Sequence, residues 1–600
     1  MKIGDALSLL FPNGTLDWKV FEKHEQKLPY VVKGQNADAW KLPPADPIDL
    51  FAIMGFLLSR SGAYHHVQPL SEPDEDAGVR RLIVTPDERK IWCSIGERWA
   101  KSQRLSSSAG ARFATLETPD EVLSLWNQLV EFRGASIFQS MDPKEDPPTW
   151  WRLTLALFVV ADEACRDVGF LADETLQKRR PLLSMLAAEF RVRAALTVKA
   201  DGEGRGVYTL SAAAPDILCV LPKSRKPLIG CTVRSLSHNL ALLPPRGLAR
   251  ARWIAPSARY DINDAIRPFN LLLIPYPYKI PTKAFHVRGI STEDSASPWG
   301  WFGVEPANSF EKGQSEISAF IENLIDAAQK DIETVHGIVL PELALSGRSY
   351  AAMVKRLEKR PGIEFVTAGL HTDQEGRKGN FTATRIIPPK PAGEKSRLWV
   401  EDIRQKHHRW RLDAAQIGTY SLGSVLDPSI GWWEKLDVLS RSLTIGVLRG
   451  ETTITTLICE DLARVDPAQE VLRAIGPNIV IALLMDSAQL QTRWPNRYAT
   501  VLAEDPGSSV LTVTSMGLIE RVNETGFYNP SRCFALWRDD QDVKELKLPL
   551  GAQALCITLS PLRTEESTLD GRSDHRNSLS WRLSGVRPVT TKMEPPSWLS

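Results

Sequence analysis

The feature of this sequence that most constrains its fold is a buried-strand pattern that ends in a cysteine. Residues 454–467 read ITTLICEDLARVDP, and the apolar residues up to Ile458 predict a core strand. A helical pattern begins within a few residues of Cys459. A cysteine at such a turn has its sulfur lifted out of the sheet, and the backbone N–H groups of the next turn point at the oxygen of a group under attack. The pattern favours a site for acyl chemistry, with a buried structural cysteine as the alternative.

The chain before this cysteine predicts an α/β arrangement. Residues 269–278 (FNLLLIPYPY) are typical of a buried strand, and residues 315–335 place apolar side chains along one face of a helix. The helix leads directly into GIVLPELALSG, a second buried-strand pattern. Strand, helix and strand in this order predict a β-α-β unit. Glu342 lies where the second strand ends, between apolar neighbours, where an unpaired carboxylate is costly.

More strands and helices are predicted towards the C terminus. Residues 443–448 and 454–458 predict a hairpin-like pair that ends at Cys459. Further strands are predicted at residues 363–370, 381–387, 478–485, 510–515 and 554–559, and helices at residues 467–475 and 494–503. From residue 561 the sequence is polar, with little pattern beyond the region of Trp581, so we expect a tail there.

The N-terminal part has a mixed, largely helical character. Apolar patches at residues 48–58 and 122–132 predict helices, and helical spacing is strong over residues 150–170 and 174–196. Strand-like segments follow between residues 207 and 236. We therefore predict four parts: residues 1–149 and 150–266, both of unknown role, an α/β domain of residues 267–562, and a tail of residues 563–600.

Composition excludes several classes of protein. The net charge of +1 gives no reason to expect a polyanionic partner, so nucleic acid is not indicated, although residues 404–411 (RQKHHRWR) form a local basic segment. The seven cysteines show no C-x-x-C pair and no histidine spacing suited to zinc, which predicts reduced thiols in a cytoplasmic protein without a metal site. The N terminus does not resemble a signal peptide, and the longest apolar runs are far shorter than a membrane span.

Three motifs in order carry a family resemblance. LPELALSG with Glu342, RQKHHRW with Lys406 and LICEDLARVDP with Cys459 together resemble the carbon–nitrogen hydrolase (nitrilase/amidase) superfamily. The resemblance covers residues 267–562 and implies a nitrilase-like α-β-β-α sandwich that needs no cofactor or metal. It also implies that the Glu, the Lys and the Cys form a catalytic triad, and that Glu504 matches a glutamate on a helix of the family.

The chain also departs from the family pattern. Glu460 stands where the family usually has Tyr or Trp, and Cys459-Glu460-Asp461 is most similar to the glutaminase domain of glutamine-dependent NAD synthetases. Glu460, through its backbone N–H, and Asp461 are therefore candidates for oxyanion or secondary roles. Residues 418–435 form a predicted insertion between the lysine and the cysteine, and the second pocket glutamate that family members often carry there is left unassigned.

The resemblance implies attack by Cys459 on an amide or nitrile carbon, a thioester intermediate, and hydrolysis by water. Glu342 is expected to act as the base, with a pKa raised by its apolar surroundings, and Lys406 to stabilise the oxyanion. A glutaminase subunit that delivers ammonia to a partner is one alternative, since no S-G-G-x-D-S loop of a complete synthetase is present.

A binding or assembly module is the other alternative. The resemblance offers one context, because nitrilase-like domains also occur joined to reverse transcriptases in bacterial phage defence. This chain has no Y-x-D-D polymerase motif, so a reverse transcriptase would have to be a separate chain. On the same resemblance we expect a small-molecule amide or nitrile substrate and a homodimer or larger assembly. The large N-terminal region leads us to expect a protein partner there, and no membrane partner is expected.

Overall fold

The computed structural model describes residues 1–12, 43–44, 46–69, 81–102, 105–108, 111–114, 118–138, 145–170, 208–227, 232–246, 250–255, 267–291, 298–305, 310–389, 399–438 and 441–592. They form a mixed α/β protein with several sheets. The chain divides into two units. Unit 1 comprises residues 1–255, 470–476 and 563–579, and unit 2 comprises residues 256–469, 477–562 and 580–600.

The helices of the described residues are, in chain order, α1 (Ile3–Leu10), α2 (Pro47–Ser61), α3 (Pro86–Ser102), α4 (Asp120–Glu131), α5 (Thr149–Ala164), α6 (Phe310–Ala328), α7 (Gly347–Leu357), α8 (Ala414–Thr419), α9 (Glu460–Ala463), α10 (Glu470–Ile475), α11 (Trp494–Glu504) and α12 (Met516–Glu524).

The strands, in the same order, are β1 (Val67–Pro69), β2 (Leu82–Val84), β3 (Leu105–Ser108), β4 (Ala111–Ala114), β5 (Cys219–Pro222), β6 (Leu240–Leu243), β7 (Arg250–Ile254), β8 (Phe269–Leu273), β9 (Phe285–Ser291), β10 (Trp299–Val304), β11 (Gly337–Leu345), β12 (Phe365–Thr372), β13 (Lys378–Ile386), β14 (Val400–Gln405), β15 (Arg411–Leu412), β16 (Gly431–Glu434), β17 (Ser442–Leu448), β18 (Thr452–Ile458), β19 (Ile479–Leu483), β20 (Ser509–Val513), β21 (Cys533–Arg538), β22 (Val543–Lys547), β23 (Ala554–Thr564) and β24 (Ser578–Val589).

Unit 1 is built around α5, which is buried along almost its whole length and packs against α2, α3 and α4. The side chain of Asp46 accepts the N–H of Ile48 at 2.8 Å and so caps α2, which ends at Gly62 with a φ of 73°. The helices predicted at residues 48–58 and 122–132 are confirmed as α2 and α4. The helix predicted at residues 174–196 lies outside the described residues.

The expected C-terminal tail is wrong. Part of it folds into unit 1, where the buried guanidinium of Arg572 binds Asp162 at 3.2 Å, Glu163 at 2.8 Å and Asp570 at 2.9 Å. Such a segment looks like a solvated tail in the sequence because charges that pair inside a protein have the same composition as charges on its surface.

The remainder of the expected tail belongs to unit 2. Strand β24 is the edge strand of a sheet, and β23 continues as far as Thr564. Trp581 in β24 is fully buried, and its indole N–H donates to Thr452 Oγ1 at 3.2 Å. Leu579 and Val589 of the same strand are also buried, so apolar side chains anchor β24 at several points.

Unit 2 contains two large sheets. The first sheet has the strand order β14-β13-β12-β11-β8-β23-β24. In the second sheet, the strands that belong to unit 2 have the order β22-β21-β20-β19-β18-β17. Strands β8, β11 and β12 are parallel, as are β18, β19 and β20, and the hairpin predicted for β17 and β18 is confirmed. The predicted β-α-β unit is confirmed as β8, α6 and β11, and the apolar face of α6 packs on the first sheet.

The two sheets contact each other through β11 with β19 and β20, and through β13 with β18. Strand β11 carries Glu342 and strand β18 runs into Cys459, so two of the predicted site residues come from different sheets. The predicted insertion at residues 418–435 contributes part of α8 and all of β16 to a smaller sheet of order β15-β16-β10-β9. Among the described residues, no helix combines the length and apolar character needed to cross a membrane.

Candidate active site

Cys459 lies at a sharp turn between β18 and α9, as the sequence pattern predicts. The seven residues of β18 are all buried, and α9 begins at the next residue, Glu460. The backbone of Cys459 has a φ of 43° and a ψ of −107°, a conformation that is costly for a residue other than glycine. Its N–H donates to the carbonyl of Leu483 on the neighbouring strand at 2.9 Å. The turn therefore fixes the thiol at the end of the strand.

Glu342 projects from β11 at an irregular point of that strand. The pairing with β12 shifts register between Leu340 and Leu345, and Leu343 has a φ of 57°. The carboxylate is buried, and its Oε1 accepts Asn380 Nδ2 at 2.7 Å and Lys406 Nζ at 2.9 Å. Its Oε2 is also buried and has no hydrogen-bond partner among the described residues. One carboxylate oxygen is therefore held by two donors and the other remains available to accept a proton.

Lys406 lies between two carboxylates. Its fully buried ammonium donates to Glu342 Oε1 and to Glu434 Oε2, both at 2.9 Å. Asn380 supports the same arrangement: its side-chain Nδ2 donates to Glu434 Oε1 at 2.9 Å, and its backbone carbonyl accepts the backbone N–H of Lys406 at 2.9 Å. The backbone N–H of Trp410 donates to Glu434 Oε2 at 3.1 Å. These hydrogen bonds hold the side chains of Glu342, Lys406 and Glu434 in fixed positions relative to one another.

Burial and mutual charge shift the pKa values of these groups. Burial raises the pKa of Glu342, Lys406 lowers it and Glu434 raises it, with a net increase. Burial lowers the pKa of Lys406, but the two carboxylates hold it well above its ordinary value.

Burial raises the pKa of Cys459 well above its ordinary value; Glu342 raises it further, whereas Lys406 and a hydrogen bond from the Met485 backbone lower it. The cysteine is therefore a thiol at neutral pH, and it needs a base to become a nucleophile. The charge of Lys406 lowers the pKa of the thiol, and the charge of Glu342 raises it.

Asp461 contacts residues of the segment that carries Lys406. Its side chain is fully buried, and Oδ1 accepts the backbone N–H of His407 at 3.0 Å and lies 3.2 Å from His408 Nδ1. Its other oxygen lies 3.6 Å from Arg404 Nη1. Burial raises the pKa of Asp461, but these cationic and histidine neighbours lower it overall. Asp461 therefore connects the turn that follows Cys459 to the segment that carries Lys406.

The two predicted secondary glutamates have different positions. Glu460 lines the cavity at the cysteine, and its carboxylate lies 3.3 Å from Arg464 Nη2. Glu504 is the last residue of α11 and its side chain is exposed, so its expected role at the site is not retained. The carboxylate of Glu434 also binds Lys406, and the sequence motifs did not assign this residue a role. The sequence signal for Glu434 is a carboxylate after two tryptophans in GWWE, at the end of the short, partly exposed strand β16.

The cysteine opens onto a cavity of about 440 Å³ in unit 2. Aromatic side chains form much of its wall: Trp410, Tyr420, Trp494 and Tyr528. Its charged lining residues are Glu460, Asp486 and Arg493. A cavity of this size suits a small molecule. Among the described residues, no group of three or more His, Cys, Asp or Glu side chains is arranged to hold a metal ion.

Comparisons with known proteins give low-scoring structural likenesses. A CN-hydrolase superfamily protein from Xanthomonas campestris is 13% identical, with a TM-score of 0.25, over 42% of this chain and 77% of that one. Nit3 from Saccharomyces cerevisiae, a member of branch 10 of the nitrilase superfamily, is 12% identical, with a TM-score of 0.23. The match covers 53% of this chain and 90% of that one.

A glutamine-dependent NAD(+) synthetase from Cytophaga hutchinsonii is 10% identical, with a TM-score of 0.23, over 49% of this chain and 43% of that one. No family model matches this chain, and no curated protein matches it significantly. With such low scores, these likenesses carry no weight for the activity of the chain.

Proposed function

We propose that this chain hydrolyses a non-peptide C–N bond, in a small amide or nitrile, through a thioester on Cys459. The observation that carries the proposal is a buried Glu342–Lys406 pair, 2.9 Å apart, whose charges both act on a cysteine held at a strand-to-helix turn. Base, cation and nucleophile are the three groups that acyl transfer by a cysteine requires. An α-β-β-α sandwich of the nitrilase type is part of the same proposal.

In the first step, Glu342 Oε2 takes the thiol proton as Sγ attacks the amide carbon. The carbonyl oxygen becomes an oxyanion, which the ammonium of Lys406 and the backbone N–H of Glu460 stabilise. The C–N bond then breaks, and the nitrogen leaves as ammonia or an amine with the proton that Glu342 returns. The raised pKa of Glu342 suits a group that first accepts and then donates a proton near neutral pH.

In the second step, water replaces the nitrogen. Glu342 takes a proton from the water as its oxygen attacks the thioester, and the proton passes to Sγ when the C–S bond breaks. The products are a carboxylic acid and the free thiol. A nitrile would first form a thioimidate, which water converts to the same thioester with release of ammonia.

The experiment is a turnover assay with purified protein against a panel of aliphatic amides and nitriles that includes glutamine. We expect ammonia release by the wild type and its loss, by at least about 10³-fold, in Cys459→Ala. Cys93→Ala, which removes a partly buried cysteine in α3 of unit 1, is the matched control and retains activity. Retention of turnover in Cys459→Ala contradicts the proposal. Absence of turnover in the wild type, with a stable co-purifying protein, supports the binding or assembly module instead.

A glutaminase is the second candidate function. The observation in its favour is that a carboxylate, Glu460, and a guanidinium, Arg493, line the same cavity as Cys459, and a zwitterionic amino acid carries the two complementary charges. Release of ammonia from glutamine, faster than from neutral aliphatic amides of equal length, would favour it.

We also propose that unit 2 pairs with a second copy, and the mass of the protein in solution at micromolar concentration tests this.

A further inference from the structure

One wall of the cavity carries a carboxylate with an unsatisfied oxygen. Asp486 is 3% exposed, and its Oδ1 accepts three donors: Tyr420 Oη at 2.7 Å, the backbone N–H of Ser487 at 2.8 Å and Arg493 Nη2 at 2.9 Å. Its Oδ2 is buried and has no hydrogen-bond partner among the described residues. The Oγ of Ser487, which lines the same cavity, is also buried without a partner there.

An ionised oxygen that is buried without a donor is costly, and the cost falls when a ligand supplies the donor. The three donors on Oδ1 fix the direction of the carboxylate, so Oδ2 keeps one orientation. Asp486 and Ser487 are adjacent in the chain and both line the cavity, so a ligand group with several N–H donors suits this pair of acceptors. A primary ammonium has three such donors and the charge opposite to that of Asp486.

The charges around the cavity also favour a cation. Its charged lining residues are Glu460, Asp486 and Arg493, which together carry a net charge of −1. The single guanidinium already binds Asp486 Oδ1, so its charge is partly neutralised. The aromatic wall adds faces, such as that of Trp410, that attract cations more than anions.

The chain places this subsite close to the nucleophile. Cys459 lines the same cavity as Asp486 and Ser487. Both sites therefore lie within one cavity of about 440 Å³. A ligand that spans them is short, with an ammonium a few carbon atoms from the group attacked by Cys459.

We propose that Asp486 and Ser487 form a subsite for the primary ammonium of a short ω-amino amide, whose amide carbon is the target of Cys459. The proposal rests on the proposed function for its amide half, whereas the ammonium half is a binding property that can be measured without turnover.

Three amides with the same three-carbon spacer test the subsite: 4-aminobutanamide, which ends in an ammonium, pentanamide, which ends in a methyl group of the same size, and glutaramate, which ends in a carboxylate. We expect kcat/KM to be about 10- to 100-fold higher for the first than for the second, and lowest for the third. Asp486→Asn keeps the shape and removes the charge, and it should abolish the preference, mainly through KM. Ser487→Ala should reduce it by a smaller factor.

Asp331→Asn, which removes an exposed carboxylate just beyond α6, is the matched control and leaves the preference intact. Equal kcat/KM for 4-aminobutanamide and pentanamide, or equal effects of Asp486→Asn on both, overturns the subsite while leaving the hydrolase proposal in place. If the wild type turns over no amide, the hydrolase proposal fails. Titration calorimetry with Cys459→Ala protein then measures binding of the two amides and tests the subsite without turnover. Tighter binding of 4-aminobutanamide than of pentanamide supports it, and equal binding refutes it. If Asp486→Asn does not fold, the three-substrate comparison in the wild type and Ser487→Ala decide the question.

Discussion

Replacing Glu434 with Gln tests the charge arrangement on which the proposed chemistry depends. Lys406 lies 2.9 Å from one oxygen each of Glu342 and Glu434, so those two oxygens are at most twice that distance apart, 5.8 Å. Two like charges at this separation repel by about 3 kcal/mol at an effective dielectric constant of roughly 20. That energy equals about two pKa units. Glu434 is therefore a substantial part of the reason that the pKa of Glu342 is raised, after burial itself.

The expected result is a shift of the acidic limb of the pH profile. Glu342 can accept the thiol proton only when it is ionised, so kcat/KM falls as the pH drops through its pKa. Removal of the negative charge at Glu434 lowers that pKa, and the limb should move down by about 1 to 2 pH units. The assay is kcat/KM for the best amide between pH 4 and about pH 9. The rate at which iodoacetamide alkylates Cys459, measured over the same range, provides a readout that is independent of substrate.

If the acidic limb of the kcat/KM profile of Glu434→Gln lies at the same pH as in the wild type, or at a higher pH, Glu434 does not raise the pKa of Glu342. Glu375→Gln, which removes a carboxylate from an exposed turn of unit 2, is the control and should leave the profile unchanged. Because Lys406 keeps Glu342 as a partner in the variant, the free energy of unfolding should fall by only about 1 to 3 kcal/mol. Thermal denaturation therefore verifies that the variant is folded before its pH profile is interpreted.

Four other substitutions have defined outcomes. Lys406→Gln leaves two buried carboxylates without their cation, and thermal denaturation should show a loss of about 3 to 5 kcal/mol; an unchanged Tm contradicts the buried pairing. Asp461→Asn weakens the bond to the His407 backbone, so kcat should fall about 10- to 100-fold with little change in KM; a change in KM alone would indicate a direct substrate contact. Trp581→Ala should cost about 3 to 5 kcal/mol, and a loss below about 1 kcal/mol would mean that the C-terminal strand is not anchored. Arg572→Met leaves buried acids unpaired in unit 1 and should cost about 3 to 5 kcal/mol; a stability equal to that of the wild type refutes the buried cluster.

The sequence predicted the elements whose signal is local. The run ITTLI before Cys459 and the helical face of α6 depend on periodic apolar side chains, which burial requires whatever the rest of the fold is. The strand that ends near Glu342 and the hairpin of β17 and β18 belong to the same class. The position of the cysteine at a strand-to-helix turn follows from that local pattern alone.

The features that the sequence did not predict depend on long-range contacts. Glu434 joins Lys406 across 28 positions of the chain, and Arg572 joins Asp162 across 410. A charged residue that is buried with a distant partner has no periodic signature, so its sequence resembles an exposed loop. For Glu504 the local prediction was correct, because its helix is α11. Its predicted place at the site depended on long-range contacts, and the structure leaves its side chain exposed.

The most direct test of the central claim is mass spectrometry of the protein after an acid quench during turnover of an amide. The account predicts an acyl adduct on the peptide that contains Cys459, formed together with one equivalent of ammonia and absent from Cys459→Ala. An adduct on another cysteine, or continued turnover by Cys459→Ala without any adduct, would contradict it.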